Sequence, residues 1–233
     1  MKMFRPCLAE FLGTIFLCFA GIAAILSDTV MGPNGGGIVA IALAHGLALS
    51  VAVNAFGGIS GAHFNPAVSI AMLVTGRIEA AKAGCYIVAQ CLGSTFAAIA
   101  CKAVFPAEAV TEAKLGIPLP APWADDLIGT IFFVEFILTF LLVTSIFGTA
   151  VDERGKAVKI GGFGIGLTVA FDILAGGAVT GASMNPARSF GPALVLGHFD
   201  KHFLYWIAPI AGACVAAMLY HHVLLKEDGE SKS

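Results

Sequence analysis

Two copies of the tripeptide Asn-Pro-Ala dictate how this 233-residue chain can fold. They are Asn65-Pro66-Ala67 in the stretch HFNPAVS and Asn185-Pro186-Ala187 in SMNPARSFGP, with the asparagines 120 residues apart. Proline suits the first position of a helix, where its missing N–H would find no partner and its φ is already helical. Asparagine just before it is a good N-cap. Each triplet therefore begins a helix. The apolar stretch after the first, residues 65–75, is 11 residues long, about 16 Å at about 1.5 Å per residue. A bilayer core is about 30 Å thick, so such a helix crosses only about half of it.

Composition supplies the bilayer. The chain is 58% hydrophobic and 12% charged, with a mean hydropathy of +0.90, whereas soluble domains carry about 25% charged residues. A formal charge of −2 gives no reason to expect nucleic acid as a partner. Apolar runs cover residues 8–26, 38–56, 83–101, 127–149, 160–179 and 203–225. Each is long enough to span a bilayer. MKMFRPC leads into the first run and, because five more follow, reads as the start of a retained span rather than a cleaved signal. The six cysteines (Cys7, Cys18, Cys85, Cys91, Cys101, Cys214) show neither metal-ligand spacing nor a secreted disulfide pattern. Buried reduced thiols are expected, and neither cofactor nor metal.

Between the spans, residues 27–37 are Gly-rich and lack Lys or Arg, and 151–159 make a short charged turn. Four prolines in 105–126 (Pro106, Pro118, Pro120, Pro122) argue against a regular helix there. Residues 226–233 form a polar tail, expected to be disordered. With the N-terminus inside, nine Lys and Arg fall on the inner flanks (Lys2, Arg5, Arg77, Lys82, Arg154, Lys156, Lys159, Lys226, Lys232) and three outside (Lys102, Lys114, Lys201). That bias predicts both termini in the cytoplasm.

The two halves repeat. Residues 57–70 match 177–190 at seven of 14 positions, and Ala9-Glu10-Phe11 echoes Val134-Glu135-Phe136. Three spans per half is an odd number, so the second copy must enter from the opposite side. The expected fold is all-α and integral to the membrane: six transmembrane helices plus two re-entrant half-helices, one membrane domain of inverted halves 1–115 and 120–225. The half-helix N-termini then face each other, each with unsatisfied N–H groups and about half a positive charge. Residues 57–64 and 177–184 become non-helical backbone at membrane depth, tolerated only beside a wet cavity or buried in protein. Their carbonyls offer water an acceptor ladder, and Asn65 and Asn185 offer amide donors at its centre.

The doubled motif, the six spans, the Glu10/Glu135 pair and NPARSFGP together resemble the aquaporin, or major intrinsic protein, family over nearly the whole chain. The resemblance implies a passive channel for water and small neutral solutes in the lipid bilayer, assembled as a homotetramer. It also implies a four-residue filter near the outer mouth. Carried over by offset from the asparagines, those positions are His45, Ile173, Ala182 and Arg188. Geometry agrees, since His45 lies up to about 30 Å from Asn65 along the second span and Arg188 stands one turn into the outer half-helix. An arginine within a membrane is a functional candidate by default, and its charge would repel cations.

Histidine in the second span and Ile173 in the fifth depart from the strict water-only pattern. The set is similar to the tonoplast-type, ammonia-permeable branch, which implies water with ammonia and hydrogen peroxide. Ser189, where glycerol facilitators usually carry Asp, disfavours glycerol. A secondary transporter also uses inverted repeats and broken helices, but no charged cluster is available at the midplane. Nothing pairs a nucleophile with a base, so an enzyme is not expected.

Glu10 and Glu135 are implied by the resemblance to accept from the re-entrant loops. His63 either lines the approach to Asn65 or bonds locally to backbone. Gly46 and Gly166, each 19 before its asparagine, are placed at a close crossing of the second and fifth spans. Tyr205 and Trp206 read as an interfacial anchor. Asp172 is expected off the pore, on an outward face, bonded to a loop or at a subunit contact.

Overall fold

The computed structural model describes residues 3–225; the expected tail 226–233 lies outside the described residues. Among the described residues, six helices are long and apolar enough to cross a membrane: Phe4–Asn34, Gly37–Ser60, Ala80–Val104, Ile128–Val151, Gly161–Thr180 and Leu204–Leu224. Their regular α-helical parts are α1 (Phe4–Met31), α2 (Gly37–Ser60), α4 (Ala80–Val104), α6 (Ile128–Ile146), α8 (Gly161–Thr180) and α10 (Leu204–Leu219). The short helices that the tripeptides predict are α3 (Pro66–Val74) and α9 (Pro186–Leu196). Two further short helices sit in connections, α5 (Ala107–Glu112) and α7 (Glu153–Lys156).

Several boundaries differ from expectation for identifiable reasons. The first Gly-rich connection shrinks because α1 continues to Met31. Residues 57–60 and 177–180 are helical as well. α2 and α8 end only at Gly61 (φ 93°) and Gly181 (φ 78°), whose left-handed backbone closes each helix with an N–H bonded to the carbonyl four residues back. The non-helical loops are thus only 61–64 and 181–184.

α2 packs against α8 and α1, α1 against α4, and α6 against α8 and α10. The short helices exchange places: α3 packs chiefly on α10, and α9 chiefly on α4. Each half therefore completes the other's core. At the crossing of α2 and α8 the backbones nearly touch. A Cβ on Gly46 would lie 2.6 Å from the Gly166 carbonyl oxygen, and one on Gly166 would overlap the Gly46 carbonyl and the Ser50 hydroxyl. The expected Gly46/Gly166 crossing is present. Outside, side chains such as Leu47, Val51, Leu92, Phe96, Phe133 and Phe163 are exposed, as expected for a surface solvated by lipid.

At one end, the π-helical turns Phe147–Val151 and Tyr220–Leu224 are clasped together. Asp152 accepts from the Arg154 backbone and guanidinium and from the Tyr220 hydroxyl, while Arg154 also reaches the Leu224 carbonyl at 2.7 Å. The Arg154 side chain holds the Asp152 carboxyl well below the usual carboxylate range.

Gly46→Val should destabilise the protein by about 1–3 kcal/mol, because a crowded crossing must open. Gly58→Ala, where an added Cβ meets nothing within 4 Å, should leave the melting temperature unchanged or raise it. Arg154→Ala should lower the melting temperature at pH 7. A carboxyl whose folded pKa is depressed stabilises fully above its unfolded pKa of about 3.9 and loses that contribution below it. The gap between variant and parent should therefore persist to about pH 4 and close in stronger acid.

Candidate functional site

α3 and α9 point their N-termini at each other, and the asparagines hold them there. Asn65 Oδ1 caps α3 by accepting from the Ala67 N–H at 2.9 Å. Asn185 Oδ1 caps α9 by accepting from the Ala187 and Arg188 N–H groups at 3.0 and 3.2 Å. With each oxygen committed, the amide nitrogens cross over. Asn65 Nδ2 donates to the Met184 carbonyl and Asn185 Nδ2 to the Phe64 carbonyl, both at 2.9 Å. An amide NH2 carries two hydrogens, so one on each asparagine remains beside the cavity that both line.

The loops leading to these caps are strained in the same way in both halves. Ala62 and Phe64 have φ of 53° and 49°, and Ala182 and Met184 have 44° and 55°, a region costing about 1–3 kcal/mol per non-glycine residue. Two buried carboxylates hold them. Glu10 accepts from the His63 N–H (3.0 Å), the Phe64 N–H (2.6 Å) and Gln90 Nε2 (2.8 Å). Glu135 accepts from the Ser183 N–H (2.9 Å), the Met184 N–H (2.8 Å) and the Thr180 hydroxyl (2.6 Å). Tyr86 and Tyr205 complete the frame by donating to the Ser60 and Thr180 carbonyls, both at 2.7 Å. Tyr205 is thus buried and faces inward, and is no interfacial anchor. Trp206 donates to His202 at 3.0 Å.

A cavity of about 210 Å³ runs along this frame, lined by the loop residues 61–64 and 182–184, both asparagines, and apolar side chains including Leu49, Val53, Val68, Leu142 and Val169. A second cavity, about 250 Å³, opens at the other end between Ile25, Ile38, Ile41 and Gly177. Three residues line both: His45, Ile173 and Arg188. They form the boundary between the two spaces, with Ala182 on the inner side. The four positions taken from the resemblance are therefore brought together.

Arg188 is only 5% exposed. Its Nη1 donates to the Gly116 carbonyl at 2.9 Å, and its Nη2 lies 3.5 Å from His45 Nε2. His45 Nδ1 is 2.8 Å from the Ile41 carbonyl. A carbonyl can only accept, so in the neutral ring Nδ1 bears the proton and Nε2 is the acceptor turned to the guanidinium. Gly21 of α1 leaves the room the imidazole occupies, since any Cβ there would overlap the ring.

His63 is placed as the first of its two readings expects, beside the cavity. Its ring bonds a side-chain hydroxyl rather than backbone, with Nδ1 3.1 Å from the Ser69 oxygen. Asp172 is fully buried, lines neither cavity, and has no hydrogen-bond partner for either carboxylate oxygen among the described residues. An outward face and a bond to a loop are both excluded. It stands one turn before Gly176, whose missing Cβ faces Leu138 and Val134 of α6, and no hydrogen bond or ion pair among the described residues accounts for a carboxyl at this position.

Sequence reasoning missed Gly116, Gly21, Gln90 and the tyrosine pair. Gly116 lies in a proline-rich connection with no motif. Tyr86 and Tyr205, however, are 119 residues apart, a repeat signal that an alignment of the two third spans would have found. Removing one carboxylate orphans two buried N–H groups at about 1–3 kcal/mol each. Glu10→Ala and Glu135→Ala should each lower the melting temperature in detergent by several degrees, whereas Glu112→Ala, on a short connecting helix, should not.

Comparison with known proteins agrees with this geometry. The family model described as "MIP: Major intrinsic protein" matches residues 1–220. The chain is 37% identical over 231 residues to Aquaporin TIP4-4 of Zea mays, covering 97% of this chain and 88% of that protein. It is 40% identical over 228 residues to Aquaporin TIP2-1 of Arabidopsis thaliana, covering 95% and 88%. Among solved structures, the aquaglyceroporin from Plasmodium falciparum superposes with a TM-score of 0.84 at 26% identity, over 95% of this chain and 97% of that one. The chain belongs to the major intrinsic protein, or aquaporin, family: multi-pass integral membrane proteins that are passive channels and not enzymes.

Proposed function

We propose that the chain conducts water and ammonia, and hydrogen peroxide as a third small neutral solute, and that His45, Ile173, Ala182 and Arg188 select among them. The observation that carries this reading is the meeting of two cavities at His45, Ile173 and Arg188. Ile173 offers no hydrogen bond, so the polar surface there falls to Arg188 and His45. The guanidinium donors not taken by Gly116 or His45 orient a neutral polar solute, and the His45 ring holds the guanidinium beside them. The fixed positive charge of Arg188 opposes cations.

Further along, a water between the asparagines accepts from the free hydrogen on each Nδ2. With both lone pairs occupied it breaks a proton-conducting file, and the converging positive ends of α3 and α9 add to that barrier. The carbonyls of 61–63 and 181–183 supply acceptors on either side. The relatives named TIP support a tonoplast-type channel in the vacuolar membrane. The excess of Lys and Arg on one side supports both termini in the cytoplasm, and membership of the aquaporin family supports a homotetramer with one pore per subunit.

The test is stopped-flow volume change of proteoliposomes with water, ammonia, peroxide and glycerol gradients in parallel. Water and ammonia should pass quickly and glycerol slowly. Ile173→His places a second imidazole in the constriction and should lower the ammonia-to-water ratio several-fold. An unchanged ratio would show that position 173 does not select. Arg188→Ala should admit larger solutes or cations, and unaltered selectivity would remove Arg188 from the filter.

A further inference from the structure

We propose that Leu115 is a positioning residue for Arg188: its buried side chain locks the left-handed turn that aims the Gly116 carbonyl at the guanidinium. The proposal rests on the reading of Arg188 as part of the filter, and it extends that reading to a residue that lines neither cavity. Arg188 Nη1 donates to the Gly116 carbonyl at 2.9 Å. Where that oxygen lies therefore decides where the guanidinium lies. Gly116 belongs to the irregular connection between α5 and α6, so no long helix fixes its carbonyl.

Lys114, Leu115 and Gly116 have φ of 46°, 52° and 68° in succession. Glycine adopts such angles freely. The other two are strained, and strained backbone persists only where its surroundings over-determine it. Two backbone bonds close the turn, from the Gly116 N–H to the Ala113 carbonyl at 2.9 Å and from the Ile117 N–H to the Lys114 carbonyl at 3.0 Å. Lys114 is exposed and adds no hold. Leu115 is fully buried, in one apolar cluster with Ile22 and Leu26 of α1, Ala97 and Cys101 of α4, and Val110 of α5. The side chain at the middle of the turn is what resists its relaxation.

The turn joins helices of the first half to the constriction carried by the second. Gly116 is seated on α1, where a Cβ would come within 3.1 Å of Ile25 Cδ1, and Ile25 lines the second cavity with Arg188. Beyond the turn, a Cβ on Gly181 would lie 2.9 Å from Pro118 Cα, and the Ala121 N–H donates to the Val179 carbonyl at 2.9 Å. Those contacts hold the connection against the end of α8 but leave the direction of the Gly116 carbonyl to the turn. Truncating Leu115 removes the packing that opposes the strain. The turn then relaxes, the carbonyl swings from Arg188, and the guanidinium loses its fixed place.

The experiment measures glycerol and water permeability of the full chain in liposomes by stopped flow, with the melting temperature alongside. Leu115→Ala should raise the glycerol-to-water ratio several-fold, in the direction of Arg188→Ala. Leu115→Met, which keeps most of the volume, should retain the parental ratio. Val110→Ala truncates a neighbour in the same cluster and should lower the melting temperature without moving the ratio. In an Arg188→Ala background Leu115→Ala should add nothing, because the group it positions is gone. Leu115→Gly gives up the same contacts while relieving the left-handed backbone; it should raise the ratio likewise and carries the test if Leu115→Ala does not fold. A parental ratio in Leu115→Ala beside a raised one in Arg188→Ala, an equal rise in Val110→Ala, or a further rise in the double variant would overturn the proposal alone. A parental ratio in Arg188→Ala would overturn the filter and the proposal with it.

Discussion

The structure depends on satisfying bent backbone in a place without bulk water. Two loops leave the helical path at residues 61–64 and 181–184, each with two non-glycine residues in left-handed conformations. Unpaired N–H groups there would add about 1–3 kcal/mol each to a similar strain per residue. Glu10 and Glu135 remove the first cost by each accepting from two consecutive N–H groups. The asparagines then tie one loop to the other, since each caps its own helix through oxygen and bonds the opposite loop through nitrogen. Neither half-helix is held by its own half alone. The same exchange appears in the packing of α3 on α10 and α9 on α4.

The repeat is faithful in its supports and departs where selection is proposed. The carboxylates, asparagines, tyrosines and crossing glycines all recur in both halves. Arg188, by contrast, corresponds to Val68, and His63 to Ser183, each pair 120 residues apart. The guanidinium has no counterpart in the first half and recruits its anchor from the Gly116 carbonyl, outside the repeated motifs. A repeated frame thus carries a boundary between cavities that is built on one side only. Duplicated positions build the frame, and unmatched ones distinguish its two ends.

Much of this was legible in the residues. Six apolar runs gave six spans, because a helix is the one open-ended segment that satisfies its own backbone in lipid. The position of proline after asparagine located both half-helices, because that pair has a helix-starting chemistry wherever it occurs. The limits of the loops were less legible: Gly61 and Gly181 end their helices where any of several glycines nearby could have done so. Tyr205 looked like an interfacial residue by its place at the start of a span, and its direction depended on the partner that Thr180 offers. Cysteine type alone, which suggests buried thiols throughout, could not separate Cys18, sealed in the core, from the exposed Cys85.

Sequence by itself determined the kind of object: a membrane-spanning bundle, duplicated, with two capped half-helices and one arginine placed a turn beyond the second cap. These are properties of local chemistry and of length against bilayer thickness, so they need no knowledge of neighbours. Tertiary structure alone decided which groups meet. The crossed asparagine bonds join residues about half the chain apart, the Arg188 anchor comes from an irregular connection, and the His45 tautomer follows from the carbonyl its ring finds at Ile41. Such pairings depend on how helices cross and how closely small residues let them approach, which no single stretch of sequence encodes.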